Sequence, residues 1–257
     1  MPSISTEILI VGAGPAGASL AAFLSSYGVT GLMISAAPGT ADTPRAHITN
    51  LSALDALRDI GVADECYRLG HQGEYTMHYR WCKIKFQSLT SIWLMVSGET
   101  LAEQEYARIY SWGNDPKRLT WEQKGDYAAA SPNPGVLDLP QTLLEPMLVR
   151  FATNKGFKVQ FNTQFLSFNR RKTDNLYLAT VQDRLRDVEY EIVCKYLFGA
   201  DGGRSLVASQ LSLPMTIGNG GAIATNVHIR CDIEHLMKVR QGNLHWNLRL
   251  KRDDPWM

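Results

Sequence analysis

The sequence is poor in cysteine, in net charge and in long apolar runs, and each shortage excludes a class of protein. Its 257 residues include four widely separated cysteines without a Cys-x-x-Cys pair, which excludes a disulfide framework or a cysteine metal site. Lys and Arg number 26 against 25 Asp and Glu, so the net charge of +1 favours neither nucleic acid nor acidic membranes as partners. No apolar run reaches the roughly 18 residues of a membrane-spanning helix. The start lacks a basic signal-peptide region, so we expect a cytoplasmic protein; the histidines show no ligand spacing, so we expect no metal.

The clearest pattern lies in the first 35 residues. Glu7–Val11 is an apolar, partly β-branched run typical of a buried parallel strand. A helix-forming stretch, Ala18–Leu24, follows and should end near Gly28, and Val29–Ser35 predicts a second strand. Between the first strand and the helix lies Gly12-Ala13-Gly14-Pro15-Ala16-Gly17. A GxGxxG motif in this strand–turn–helix setting is typical of a dinucleotide-binding βαβ unit.

Each glycine of the motif has its own expected role. Gly12 allows the tight turn after the strand, Gly14 lets a diphosphate approach the backbone, and Gly17 lets the helix lie close to the strand. Pro15 and Ala16 are also candidate cofactor-binding residues, and the N-terminus of the helix that follows offers free N–H groups and a positive dipole end to the phosphates. The alternative interpretation is a glycine-rich turn without a ligand.

One element of the fingerprint is missing. A site of this type uses Asp or Glu at the end of the second strand to hold a ribose hydroxyl. Here the strand ends in Ser35-Ala36-Ala37, so the acidic position holds Ala36. Either Ser35 substitutes weakly for the acid, or adenosine binding is impaired.

Two further segments indicate whether the cofactor is FAD or a nicotinamide dinucleotide. They are Pro44-Arg45-Ala46-His47 and Tyr196-Leu197-Phe198-Gly199-Ala200-Asp201-Gly202-Gly203-Arg204-Ser205. With the GxGxxG motif, they resemble the single-component (class A) FAD-dependent aromatic hydroxylases, over most of the chain. The branch most similar is the phenol 2-monooxygenase-like enzymes common in fungal secondary metabolism. The resemblance implies FAD as cofactor, NADPH as transient reductant and a small aromatic substrate, and it allows a homodimer.

The resemblance also implies roles for individual residues. Asp201 and Gly202 would contact FAD, with Asp201 accepting from ribose hydroxyls, and Arg45 would be a cation beside the flavin. Gln141 corresponds to a glutamine that contacts the flavin in the family. His47 stands where the phenol hydroxylase branch has an acid, so it is the candidate catalytic base or hydrogen-bond donor. The alternatives are a turn at Asp201-Gly202, a surface arginine, an exposed glutamine and a structural histidine.

The remaining pattern predicts the fold class. We expect an α/β protein: a Rossmann-like FAD-binding domain with a central parallel sheet and an antiparallel β layer, plus an incomplete β-sheet substrate domain. Strands are predicted at 158–168, 176–181 and 190–198. After Gln141 a helix is predicted, with an apolar face formed by Leu143, Leu144, Met147, Leu148 and Phe151.

We expect residues 1–80 and 137–215 to form the discontinuous FAD-binding domain, and residues 81–136 and 216–257 a partial substrate domain. Residues 83–99, and a shorter stretch at 119–122, interrupt the family pattern. They are interpreted as translated intron, or as an additional loop or hairpin. Family members continue well beyond residue 257, so the chain resembles the N-terminal portion of a hydroxylase.

Three functions stay open at this point. The first is an FAD- and NADPH-dependent monooxygenase that hydroxylates a phenolic or polyketide-derived aromatic in secondary metabolism. The second is a truncated, catalytically defective FAD-binding fragment, which Ala36 favours. The third is a nicotinamide-only oxidoreductase, which the Asp201-Gly202 segment and the lack of a Tyr-x-x-x-Lys pair disfavour.

Overall fold

A computed structural model describes residues 3–43, 45–70, 78–82, 105–110, 137–216, 218, 227, 229–237 and 244–246. The described helices are α1 (Pro15–Ser26), α2 (Leu51–Asp59), α3 (Ala63–Leu69), α4 (Gln141–Asn154), α5 (Leu206–Gln210) and α6 (Glu234–Met237). The described strands are β1 (Ser3–Val11), β2 (Leu32–Ile34), β3 (Ile48–Thr49), β4 (His78–Cys82), β5 (Glu105–Tyr110), β6 (Leu137–Asp138), β7 (Lys158–Gln160), β8 (Thr163–Arg170), β9 (Tyr177–Asp183), β10 (Val188–Gly199) and β11 (Leu244–Trp246).

The main sheet has six strands in the order β7-β2-β1-β10-β9-β8. The four strands from β7 to β10 run parallel, and β9 pairs antiparallel with both β10 and β8. The strand β1 lies in the interior of the parallel part, between β2 and β10. The fold class predicted from the sequence, a Rossmann-like sheet with an antiparallel β component, is therefore confirmed.

Alternate residues of β1 contribute to two different cores, because successive side chains of a strand point to opposite faces. Ile8 and Ile10 pack with Ala21 of α1 and with Ala152 of α4. On the other face, Leu9 and Val11 belong to a second cluster that includes the following side chains of the antiparallel strands and β10: Phe165, Ala179, Val181, Ile192 and Cys194. Burial raises the pKa of the Cys194 thiol to about 11, so this thiol is neutral within the core. The βαβ start is thus covered on both faces.

The predicted strands and helix face differ from the structure at three places. The single strand predicted at 158–168 is two strands, β7 and β8, at opposite edges of the main sheet, because the chain turns at Asn162, whose φ is +53°. The second strand is shorter than 29–35, because the Val29 N–H donates to the carbonyl of Leu24 and closes the end of α1. The apolar face predicted for α4 is partly wrong. The buried residues are Glu145, Met147, Leu148 and Ala152, whereas Leu143 is 39% exposed. Hydrogen bonds to the Glu145 carboxylate, described below, compensate for its burial.

The chain separates into two compact units. One comprises Met1–His47, Ile60–Glu65 and Pro140–Val227 and contains the six-stranded sheet. The other comprises Ile48–Asp59, Cys66–Leu139 and His228–Met257, and its described strands form a β11-β4-β5 sheet and a β3-β6 pair. The interpretations of 83–99 and 119–122 fall outside the described residues. Among the residues that are described, no helix has the length and apolar character to cross a bilayer, and no cluster of metal-ligating side chains occurs.

Candidate functional site

The carboxyl ends of β1, β2 and β10 meet at one edge of the main sheet. The Gly12 N–H donates to the Ile34 carbonyl at 2.8 Å, and the Ala200 N–H donates to the Val11 carbonyl at 2.7 Å. Ligands of open α/β sheets bind at this edge, outside the carboxyl ends of the strands. A cleft of about 280 Å³ lies here and is lined by Val11, Gly12, Ile34, Ser35, Ala36, Ala37, Thr163, Gln164, Phe165, Asp201, Arg204 and Leu206.

Two of the three motif glycines are required by the backbone itself. Gly12 has φ +109°, and a Cβ there would lie 2.2 Å from the Ala200 carbonyl oxygen. A Cβ on Gly17 would lie 1.9 Å from the Gly12 carbonyl oxygen and 3.3 Å from the Ala200 Cβ. The structure therefore places Gly12 and Gly17 where the turn, the helix and β10 approach most closely.

Gly14 is different, because nothing in the protein occupies the space beside it. A Cβ on Gly14 would meet no atom within 4 Å. Gly14 is the N-cap of α1, without a side-chain hydrogen bond at the cap and without an acidic residue in the first turn. Pro15 has no N–H, whereas the N–H groups of Ala16 and Gly17 have no acceptor within the helix. This open, positively polarised end fits the diphosphate of a dinucleotide.

The segment that follows β2 is fixed by hydrogen bonds to its main-chain carbonyl groups. The Ser35 carbonyl accepts from the Thr163 N–H at 2.8 Å, and the Ala36 carbonyl accepts from Arg184 Nη1 at 2.7 Å. The half-buried Ser35 hydroxyl accepts from the Ala37 N–H at 3.2 Å. The exposed Ala36 side chain lines the cleft but has no polar atom for a ribose hydroxyl.

Asp201 lies in the same cleft as Gly12, but its carboxylate is already hydrogen-bonded within the protein. Oδ1 accepts from the Ser205 hydroxyl at 2.5 Å, and Oδ2 accepts from the N–H groups of Leu206 and Val207 at 2.7 and 3.3 Å. Asp201 thus caps the start of α5, together with Ser205, which accepts from the Ala208 N–H at 3.0 Å. The neighbouring Gly202 is exposed, and a Cβ there would meet no atom within 4 Å.

The variant Asp201→Ala is expected to lower the free energy of unfolding by about 1–2 kcal/mol, because it removes this cap. Asp201→Asn should keep more of the stability than Asp201→Ala, because its one amide oxygen can still accept from the Leu206 and Val207 N–H groups. Chemical denaturation of both apoproteins measures the difference; equal midpoints for the alanine variant and the wild type would contradict the capping role. FAD titration of folded Asp201→Ala, beside Asp201→Asn, tests separately the sequence-based prediction that the alanine variant binds FAD more weakly by about 1–3 kcal/mol.

A second group of predicted site residues meets at the start of α4. The Gln141 N–H donates to the Ala46 carbonyl at 2.8 Å, which joins the helix start to the segment carrying Arg45 and His47. Arg45 is exposed, and Gln141 and His47 are half-buried. The sequence-predicted residues are therefore found in two groups, one around the cleft and one around this junction.

Sequence reasoning missed Glu145, which connects the second group to the segment after β2. The Glu145 carboxylate accepts from the Ala41 N–H at 2.6 Å and from Gln141 Nε2 at 2.5 Å. The only local indication is the i, i+4 spacing of Gln141 and Glu145 on one helix. Ala41 lies 104 residues away along the chain, so the other partner has no local indication.

A mixed sheet with a cleft at the carboxyl ends of its parallel strands, beside an uncapped helix N-terminus, defines a Rossmann-type dinucleotide-binding protein. The chain matches the family model described as "FAD binding domain" over residues 5–256. The chain belongs to this FAD-binding domain family. The prediction of FAD as the cofactor is confirmed at the level of the family.

Similar proteins agree with this assignment. The chain is 36% identical over 243 residues to 2,4-dichlorophenol 6-monooxygenase of Delftia acidovorans, covering 95% of this chain and 37% of that protein. It is 38% identical over 232 residues to phenol 2-monooxygenase of a Pseudomonas species, and the match covers 90% of this chain and 33% of that protein. The crystal structure of the flavin-dependent monooxygenase PieE, in complex with FAD and substrate, matches with a TM-score of 0.68 and 35% identity, covering 82% of this chain and 33% of that one.

The predicted resemblance to flavoprotein aromatic hydroxylases is therefore confirmed. The chain spans about a third of the length of the relatives it matches.

Proposed function

We propose that this chain is the FAD-binding part of an FAD-dependent monooxygenase that hydroxylates a phenolic or polyketide-derived aromatic with NADPH and O2. We also propose that residues 1–80 and 137–215 form the FAD-binding domain. Residues 81–136 and 216–257 would form part of the substrate domain. The proposal also includes a small aromatic substrate and a homodimer as partners. The relatives named for phenol and dichlorophenol monooxygenation support the substrate class.

The observation that carries the proposal is the open N-terminus of α1. The helix α5 begins at the cleft and is capped by the Asp201 carboxylate, whereas α1, which begins three residues after the cleft-lining Gly12, has no side-chain cap. An anion is therefore expected at α1, where Gly14 leaves space for it. Ala16 and Gly17 would donate their N–H groups to the diphosphate.

When bound and reduced, FAD supplies the activation of O2 for transfer of oxygen to an aromatic ring. The chain's own residues would bind and orient it. Ser35 would lie at the adenosine end, and Gln141 and Arg45 at the flavin end. His47 would accept the phenol proton or donate a hydrogen bond to the phenol oxygen, and either role favours the phenolate and makes the ring a better nucleophile. The pocket must also exclude water, because the reactive oxygen is otherwise lost.

An FAD-binding protein without turnover is the second candidate. It is favoured by Ala36, whose methyl group offers no hydrogen bond where dinucleotide sites of this type hold a ribose.

The visible spectrum of the purified full chain, followed by NADPH oxidation assays with and without phenols, separates the candidates. Bound flavin with phenol-stimulated NADPH oxidation is the expected result. Bound flavin with no stimulation by any phenol supports the second candidate. Protein that binds a nicotinamide but no flavin, even after FAD is added, overturns both.

A further inference from the structure

Glu145 is an acid in the interior of the protein, on the inner side of α4. It is 3% exposed and lies two residues before the buried pair Met147 and Leu148. A buried carboxylate is costly unless it is hydrogen-bonded, and both oxygens of this one accept an N–H. Its two donors belong to Ala41, in the segment after β2, and to the Gln141 side chain. An apolar side chain of similar size could fill the space that the Glu145 side chain occupies. What Glu145 adds is the two hydrogen bonds that its carboxylate accepts.

The carboxylate determines which way round the Gln141 amide is held. A carboxylate oxygen can only accept, so the amide must turn its NH2 group toward Glu145. The 2.5 Å contact joins Gln141 Nε2 to Glu145 Oε1. Because the amide is planar, its carbonyl oxygen then points away from Glu145. The half-buried Gln141 side chain thus offers a fixed acceptor.

The Gln141 backbone is fixed as well. Its N–H donates to the Ala46 carbonyl, between Arg45 and His47. One buried acid therefore holds the helix start that contacts this segment, and, through Ala41, it also holds the segment after β2. Both the place and the polarity of the Gln141 amide depend on it.

We propose that Glu145 is a positioning residue that presents the Gln141 carbonyl oxygen to an N–H or O–H donor of the flavin. The donors that the oxidised flavin half of FAD offers are its ribityl hydroxyls and the N3–H of the ring. The inference rests on the proposed function, which places Gln141 beside FAD. Glu145 itself touches no ligand in this proposal.

The variant Glu145→Gln tests the polarity directly. Its single carbonyl oxygen can accept from the Ala41 N–H, and its NH2 group then faces Gln141. The Gln141 amide must turn over, so that its NH2 group replaces the acceptor at the flavin. We expect the FAD dissociation constant to rise about tenfold or more, with a shifted visible spectrum of the flavin that remains bound.

The double variant Gln141→Glu with Glu145→Gln is the matched rescue. The carboxylate at position 141 accepts from the NH2 group at position 145 and presents its second oxygen as an acceptor. FAD affinity and the flavin spectrum should return toward the wild type. Thermal unfolding of each apoprotein is measured in parallel, because a purely structural role of Glu145 would lower stability in both variants without restoring the spectrum.

Gln141→Leu separates the possible failures. If the wild type binds no FAD, the proposed function fails. If the wild type binds FAD and Gln141→Leu binds it equally well, Gln141 is not at the flavin and the inference is overturned alone. The inference is also overturned if Glu145→Gln keeps wild-type affinity and spectrum. If that single variant does not fold, the double variant must still bind FAD more tightly than Gln141→Leu, and equal affinity overturns the inference.

Discussion

Gly14→Val is expected to abolish flavin retention while the protein still folds. Gly14 has φ −71° and ψ −173°, an extended conformation that valine adopts readily, and no protein atom lies within 4 Å of an added Cβ. The branched side chain would instead fill the space in front of the Ala16 and Gly17 N–H groups. Hydrogen bonds to a charged ligand contribute about 1.5–3 kcal/mol each, so losing two should weaken FAD binding by about 100-fold or more.

Flavin content after purification and FAD titration of the apoprotein measure this effect. Gly39→Val is the matched control, because a Cβ on Gly39 also meets no atom within 4 Å, and Gly39 lies between β2 and β3, outside any helix N-terminus. The Gly14 variant should lose only about 1 kcal/mol of stability, from the poorer N-cap. Wild-type flavin content in Gly14→Val would show that the diphosphate lies elsewhere.

Gly17→Val is expected to prevent folding, although it lies only three residues further along the same motif. Its Cβ would lie 1.9 Å from the Gly12 carbonyl oxygen, which belongs to backbone and cannot move aside as a flexible side chain would. Relief requires α1 to separate from the turn after β1, which breaks the core formed by Ile10 and Ala21. We expect a loss of about 3 kcal/mol or more, enough to leave much of the chain unfolded or insoluble.

Denaturation midpoints of the soluble fraction, and the soluble yield, measure this second effect. Gly39→Val again serves as the control for adding an isopropyl group at a glycine. A Gly17 variant with the wild-type midpoint would mean that the helix and the turn do not approach as closely as the structure shows. Together, the two glycine variants separate ligand contact from folding within one motif.

Local patterns predicted those parts of the fold and site whose cause is local. The βαβ start follows from apolar runs and glycine spacing, and β9 and β10 lie close to the predicted positions. The segment 158–168 divides into β7 and β8 at opposite edges of the sheet, because strand pairing is decided by distant segments. The roles of Gly12 and Gly17 also follow, because a tight turn and a close helix leave no room for a side chain.

The parts that were missed depend on contacts between distant segments. The hydrogen bond from Ala41 to Glu145 spans 104 residues, so apolar periodicity alone favoured Leu143 over Glu145 as a buried residue. Asp201 is an intermediate case. Its four-residue spacing to Ser205, just before the apolar Leu206 and Val207, is a capping pattern that sequence analysis could have recognised.

The main-chain attachment of the segment after β2 has a consequence for evolution. The carbonyl oxygens of Ser35, Ala36 and Ala37 are held by Thr163, Arg184 and Asn162, and any amino acid at position 36 would supply the same oxygen. The amino acid at position 36 can therefore change without breaking these backbone hydrogen bonds. If the proposed site places the ribose beside position 36, a substitution there changes nucleotide preference without altering the hydrogen bonds that keep the chain folded.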